Sequence, residues 1–96
     1  MKARLYFRQK HVYLDRSIFE MKVWIVPKSA HHPEGYKYSM VYINRFRKKV
    51  IGYDNAHGKG HHRHDSEGEK SFEFLSIEGL MELFLSEVQD LRRTVV

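Results

Sequence analysis

The strongest constraint on this chain is a helical repeat near its carboxyl end. Apolar residues recur there with the i, i+3, i+4 spacing of one helix face, at Ile77, Leu80, Met81, Phe84, Leu85, Val88 and Leu91. Ser76 precedes the repeat and can cap a helix by accepting a hydrogen bond from a free backbone N–H. We therefore expect one amphipathic helix with Met81 and Phe84 in the core rather than at a cofactor.

The residues before this helix alternate between apolar and polar side chains, a pattern that indicates strands with one buried face. Such segments occupy residues 2–8, 18–26, 36–44 and 48–54, with a short fifth at 71–74. We expect an α+β fold in a single domain over residues 1–96. It consists of an antiparallel sheet of four to five strands with the C-terminal helix packed on one face.

Composition excludes several classes of protein. The 96 residues contain no cysteine, so a disulfide framework and a thiolate zinc site are both excluded. No stretch of 18 apolar residues occurs, and the amino end lacks the apolar run of a signal peptide. We expect a cytoplasmic protein with no membrane partner.

Charge is distributed unevenly along the chain. Residues 1–64 hold 14 Lys and Arg against 4 Asp and Glu, whereas residues 65–96 hold 3 against 8. A basic body suits an anionic polymer such as RNA, although ordinary solvated charge is the alternative. A basic sheet face carrying Lys2, Arg4, Tyr6 or their neighbours could stack RNA bases on tyrosines, but tyrosine is also simply a good strand former.

Residues 53–64, the basic loop, are unsuited to a packed core. They read Tyr-Asp-Asn-Ala-His-Gly-Lys-Gly-His-His-Arg-His, with no apolar side chain after Ala56. In an extended backbone His62 and His64 point to one side, and His61 and Arg63 to the other. Two imidazoles can act as base and acid near neutral pH, which is what cleavage of RNA through its 2′-hydroxyl requires.

The remaining parts of such a site lie in the same segment. Lys59 and Arg63 can supply positive charge at the phosphate, and Asp54 can orient an imidazole. The predicted catalytic residues are therefore His62, His64, Arg63, Lys59 and Asp54. Residues predicted to bind substrate are Asn55, His57, Gly58, Gly60, His61, Arg47 and Lys49, and no metal or other cofactor is expected.

Two alternatives remain open at this point. Four histidines, His57, His61, His62 and His64, could bind Zn²⁺ or Ni²⁺ with Asp54 or Asp65 as an oxygen ligand. The basic loop could also be a mobile nucleic-acid contact without chemistry.

The basic loop also resembles a known signature. The run from Val50 to Gly60, followed by His62-Arg63-His64, is similar to the signature of TumE-type toxins of prokaryotic toxin–antitoxin pairs. Similar residues occur at 2–5, 24–27, 35–38 and 74–80, and at Phe84. Within the basic loop the resemblance covers Asp54, Asn55, Gly58, Lys59, Gly60, His62, Arg63 and His64, whereas relatives often have another polar residue in place of His61.

The resemblance implies a function and a partner. It implies a type II toxin that inhibits growth as an RNA endonuclease. It also implies a cognate antitoxin with a helix-turn-helix DNA-binding domain, which holds the toxin inactive. A homodimer is the other association considered.

Overall fold

A computed structural model of the protein describes residues 3–56, 58 and 60–94 and shows one sheet with one helix packed on it. The strands are β1 (Arg4–Val12), β2 (Ile18–Ile25), β3 (Tyr36–Ile43), β4 (Lys49–Asp54), β5 (His62–Asp65) and β6 (Gly68–Ser71), and the helix is α1 (Ile77–Thr94). The strands lie in chain order and each pairs antiparallel with the next. The α+β class and the C-terminal helix are confirmed, but the sheet has six strands rather than four to five.

The additional strand arises because the end of the basic loop and the polar residues after it form a hairpin. Residues 62–65 pair with β4, and residues 68–71 pair with them in turn. The predicted short strand at 71–74 lies too far along the chain, since β6 ends at Ser71. Backbone hydrogen bonds to β4 hold this polar hairpin, so an alternation of apolar side chains does not reveal it.

The core lies between α1 and one face of the sheet. Buried apolar residues come from the sheet (Phe19, Met21, Val23, Tyr38, Met40, Tyr42, Ile51, Tyr53) and from the helix (Ile77, Leu80, Phe84, Val88). Phe84 is fully buried and Met81 packs against this cluster, which confirms the prediction for both residues. The Ser76 hydroxyl accepts a hydrogen bond from the Gly79 N–H at 3.0 Å, which confirms the cap.

The opposite side of the sheet is called the open face, and two of its rows of cross-strand partners reach from β1 to β5. Directly paired residues project to the same face. One row contains Arg8, Lys22, Ser39, Asp54 and His62, and the other contains Lys10, Glu20, Val41, Gly52, His64 and Glu69. The cations of β1 and β2 therefore share a face with the histidines of β5.

Of the two interpretations of the tyrosines, a base-stacking face and ordinary strand residues, the structure favours the second for Tyr6 and for the buried tyrosines of β3 and β4. Tyr38, Tyr42 and Tyr53 lie beneath the helix, and the Tyr6 hydroxyl donates to Glu78 of α1 at 3.2 Å. A register shift between Leu5 and Phe7 places Tyr6 on the helix side. Among the described residues no helix is long and apolar enough to span a bilayer.

Candidate active site on the open face

A carboxylate joins the two histidines that the sequence placed on one side of an extended chain. Asp54 Oδ1 lies 2.7 Å from His62 Nε2, and Asp54 Oδ2 lies 3.1 Å from His64 Nε2. The two imidazole rings are 4.7 Å apart and nearly perpendicular. The predicted pairing of His62 with His64, and the predicted contact of an imidazole with Asp54, are both observed; these three residues form the histidine cluster.

The two histidines differ in access to solvent. His62 is only 5% exposed, and its Nδ1 donates to the Gly60 carbonyl at 3.0 Å, so both of its ring nitrogens have partners. The side chain of His64 is 43% exposed, and its Nδ1 lies 3.5 Å from Glu69 Oε2. A substrate can reach His64, whereas His62 is placed to hold Asp54.

The histidine cluster borders a recess of about 370 Å³, called the Gly52 recess. Its lining consists of Val41, Lys49, Val50, Ile51, Gly52, Asp54, Ala56, His62, His64, Asp65 and Glu69. Sequence reasoning did not single out Gly52 or Glu69. A glycine inside a strand pattern was an available signal for Gly52. Glu69 carries no local signal, because only the pairing of β5 with β6 brings it beside His64.

Arg63 lies on the other side of β5, away from the histidine cluster. Its Nη2 is 2.6 Å from Glu87 Oε2 of α1, its Nε donates to the Tyr53 hydroxyl at 3.2 Å, and it also pairs with Asp65. Hydrogen bonding to the Glu87 carboxylate raises the pKa of Arg63. The structure therefore places this predicted catalytic cation in a contact between sheet and helix.

Asn55 is a structural residue rather than a surface contact. It is 1% exposed; its Oδ1 accepts from the Tyr38 N–H at 3.1 Å, and its Nδ2 donates to the Tyr36 carbonyl at 2.8 Å. These two bonds continue the β3–β4 pairing beyond Asp54 with side-chain atoms. Burial therefore argues against the predicted contact of Asn55 with substrate.

His61 is likewise occupied away from the histidine cluster. Its Nδ1 lies 2.7 Å from the Tyr38 hydroxyl and its Nε2 lies 3.0 Å from Glu34. Its ring stacks on Phe74 at 4.4 Å between centroids. These contacts attach the basic loop to neighbouring elements and do not direct His61 toward the Gly52 recess.

Two glycines shape the turn between β4 and β5. Gly58 and Gly60 have φ angles of +68° and +76°, a conformation that side chains disfavour. A Cβ on Gly58 would lie 2.6 Å from Nδ1 of His31. The Gly60 carbonyl anchors His62, so this part of the predicted substrate-binding loop supports the histidine cluster directly.

The other predicted residues are placed as follows. Lys49 lines the Gly52 recess, whereas Arg47 lies in the β3–β4 turn and is absent from its lining. His57 and Lys59 lie outside the described residues.

A second recess extends the open face away from the histidine cluster. It is lined by Lys22, Trp24, Lys37, Tyr38, Ser39, Asp54 and Ala56, and it shares Asp54 and Ala56 with the Gly52 recess. Arg8 and Lys22 both pair with Glu20, at 3.2 and 3.8 Å. Basic residues with one tryptophan therefore lead across the open face from β1 toward Asp54. We call them the track, which consists of Arg8, Lys22, Trp24 and Lys37.

The fold and this geometry define a small α+β protein with a carboxylate and two histidines on a basic sheet face that none of the described elements covers. The chain belongs to the family described as Toxin TumE, whose model matches residues 1–92. It is therefore a toxin of a toxin–antitoxin system, with a cognate antitoxin as its partner. No curated protein and no solved structure gives a significant match to the chain.

Proposed function

We propose that this toxin inhibits growth by cleaving RNA at the histidine cluster, without a metal ion. The observation that carries the proposal is the position of His64. Its ring borders the Gly52 recess while Asp54 holds its Nε2 at 3.1 Å. An exposed imidazole oriented by a carboxylate is equipped to transfer protons to and from a bound substrate.

In the proposed reaction, His64 removes the proton from a ribose 2′-hydroxyl. The 2′-oxygen then bonds to the adjacent phosphorus, the bond from phosphorus to the 5′-oxygen breaks, and that oxygen takes up a proton from water. The His64 imidazolium returns its proton to water after the products leave. The products are a 2′,3′-cyclic phosphate and a free 5′-hydroxyl. Asp54 keeps the ring oriented and stabilises the imidazolium formed when it accepts the proton.

His62 acts as a positioning residue in this proposal. The sequence suggested that both histidines share acid and base duties, but the burial of His62 and its bond to Gly60 favour His64 as the proton-transfer group. Lys49 lines the Gly52 recess and supplies positive charge near the phosphate. Lys59, outside the described residues, stays a predicted second cation.

The open face provides the binding surface. Lys22 and Lys37 border the recess next to Asp54 and suit the phosphates of a single strand, while Trp24 suits a stacked base. Because these residues share a face with His64, a strand bound along the track passes the proposed reaction centre.

The test uses purified toxin and a labelled single-stranded RNA. We expect His64→Ala to slow cleavage by roughly 10²–10⁴-fold, as is typical for loss of a general acid or base. The matched control is His11→Ala, an exposed histidine on β1, which should cleave at the parent rate. Binding of RNA without any product by the parent protein would favour the non-catalytic alternative, and an unchanged rate in His64→Ala would overturn the mechanism.

A metal-dependent nuclease is the second candidate, and one observation favours it. Ligand atoms of Asp54, His62 and His64 all lie within 4.8 Å of one another. The other ring nitrogen of His62 donates to Gly60, an arrangement common for metal-binding histidines. Zinc or a similar ion would supply an activated water at these three residues. Loss of cleavage on chelation and its recovery with Zn²⁺ or Mn²⁺ would replace the metal-free mechanism, whereas unchanged cleavage in chelator would exclude this candidate.

A further inference from the structure

The middle of β4 contains a glycine that the backbone itself does not demand. Gly52 does not adopt a left-handed φ, and the nearest atom to a Cβ built on it is the Met40 carbonyl oxygen at 3.4 Å, an ordinary contact. Glycine inside a strand is nevertheless about 0.5–1 kcal/mol less favourable than alanine. A strand glycine without a conformational reason often marks the close approach of a ligand.

The missing side chain opens the Gly52 recess beside the proposed reaction centre. Gly52 pairs with Val41 on one side and with His64 on the other, and His64 pairs with Glu69. Val41 and Val50 provide apolar surface, whereas His64 and Glu69 provide polar groups at the far side. A volume of about 370 Å³ is near the lower end of typical small-molecule sites, so it suits one flat group.

The polar lining decides which part of a nucleotide fits. Carboxylates of Asp54, Asp65 and Glu69 outnumber Lys49, the one lysine of the lining, and disfavour a phosphate inside the recess; Lys49 is exposed and can meet a phosphate outside it. The Glu69 side chain is 39% exposed, and its oxygens lie 3.5 Å from His64 Nδ1 and 4.0 Å from His62 Nε2. Its two oxygens can accept hydrogen bonds from a base edge.

We infer that the Gly52 recess is a nucleobase site that selects guanine. The base lies flat over Gly52 against Val41, and its Watson–Crick edge meets Glu69. Guanine presents two adjacent donors on that edge, N1–H and N2–H₂, which match the two oxygens of one carboxylate; uracil presents one donor between two carbonyls. This inference rests on the proposed function, because it assigns the recess to the RNA that His64 acts on.

The site also explains how the base and the reaction are coupled. Gly52 and His64 are cross-strand partners, whose Cα atoms in an antiparallel pair are about 5 Å apart. A nucleotide with its base over Gly52 therefore has its ribose within reach of the His64 ring. The pairing of Gly52 with His64 therefore accounts both for recognition of the base and for the position of the 2′-hydroxyl.

The test measures binding of GMP, AMP, CMP and UMP to the full chain by calorimetry and by amide chemical shifts. Mononucleotides contain no bond between nucleotides, so binding is read independently of cleavage. We expect GMP to bind at least tenfold tighter than UMP. Gly52→Val should weaken GMP binding at least tenfold, and Gly52→Ala should weaken it less. Glu69→Gln should reduce the preference for GMP over UMP, because an amide offers one acceptor and one donor.

The control variant is Ser86→Val, which introduces the same residue at an exposed position of α1, on the other side of the sheet and outside the Gly52 recess, and it should bind GMP like the parent. Equal affinity for GMP and UMP, or undiminished GMP binding by Gly52→Val with a native thermal transition, would overturn the inference. If Gly52→Val fails to fold, GMP binding by Gly52→Ala and Glu69→Gln tests the inference instead, and parent-like affinity and selectivity in both variants would overturn it. Selective GMP binding without RNA cleavage would refute the proposed function and support the base site. RNA cleavage without base selectivity would support the proposed function and refute the base site.

Discussion

Nη2 of Arg63 lies 2.6 Å from Oε2 of Glu87, so a strand of only four residues is attached to the helix from the side opposite its histidines. Alternate residues of β5 thus contact different parts of the protein. Arg63 connects the hairpin to the core, while His62 and His64 face the Gly52 recess.

Replacing Arg63 should therefore destabilise the protein without removing the reaction centre. Arg63→Met keeps the aliphatic stem but removes the guanidinium bonds to Glu87 and to the Tyr53 hydroxyl, so that Glu87 keeps only the bond from Tyr53. We expect a loss of roughly 1–3 kcal/mol in the free energy of unfolding. Urea denaturation measures the loss. The control is Arg93→Met, whose pair with Asp90 is largely exposed and should matter little. Native stability combined with abolished cleavage would instead assign Arg63 to the reaction.

Asn55→Ala should loosen the entry to the basic loop. The substitution removes the acceptor for the Tyr38 N–H, a buried bond, and the donor to the Tyr36 carbonyl, a partly buried one. An unsatisfied buried group typically costs about 1–3 kcal/mol. Hydrogen exchange of the Tyr38 amide should accelerate relative to the other β3 amides. Asn44→Ala is the matched control, because Asn44 bonds the exposed turn at Phe46 and Lys48, where water can substitute. Unaltered Tyr38 exchange would contradict the assigned role.

Stability should fall steeply in alkali because of a buried tyrosine. Burial, together with hydrogen bonding to Glu87, raises the pKa of Tyr53 to about 12 from an ordinary value near 10. The folded state holds this proton more tightly, so the stabilisation is complete below pH 10 and is lost as pH rises from 10 to 12. Burial also raises the pKa of Tyr38.

Urea titrations from pH 9 to 12 measure this effect. Tyr53→Phe should flatten the decline by an amount of the order of 2 kcal/mol over that interval, since a shift of one pKa unit corresponds to about 1.4 kcal/mol. The slope that remains belongs to Tyr38 and other groups. Parallel curves for the parent and Tyr53→Phe would show that Tyr53 does not titrate differently in the two states.

Affinity for single-stranded RNA should depend on salt through the cations of the open face. Each phosphate contact contributes roughly 0.7 to the slope of log affinity against log salt for single strands. In a His64→Ala background, which is expected to leave the RNA largely uncleaved, Lys22→Ala combined with Lys37→Ala should lower the slope by about 1.4. Fluorescence anisotropy at several salt concentrations measures it. Adding Arg93→Ala instead, a change on the helix, should leave the slope unchanged; equal slopes in both variants would place the RNA elsewhere.

Local patterns along the chain predicted much of this molecule. The apolar spacing from Ile77 onward specified the helix, because a helix face needs periodic burial. Alternation specified β2, β3 and β4 to within about one residue, whereas β1 runs to Val12, four residues beyond the expected end. The spacing of His62 and His64 predicted that both face one way, since side chains in extended backbone alternate. These features depend only on residues close together in the chain, so they can be predicted without knowledge of the tertiary structure.

Tertiary structure decided the rest. The β5–β6 hairpin is polar and is held by backbone pairing with β4, so nothing in its own composition marks it as strand. The sequence predicts Arg63 as a cation near a phosphate, but in the fold its Nη2 lies 2.6 Å from Glu87 of the helix, 24 residues later in the chain. Glu69 acquires a role only through its pairing with His64, and Asn55 only through burial against β3. Each of these assignments depends on contacts between segments that are distant in sequence, because the identity of a side chain does not specify which neighbour will occupy its polar atoms.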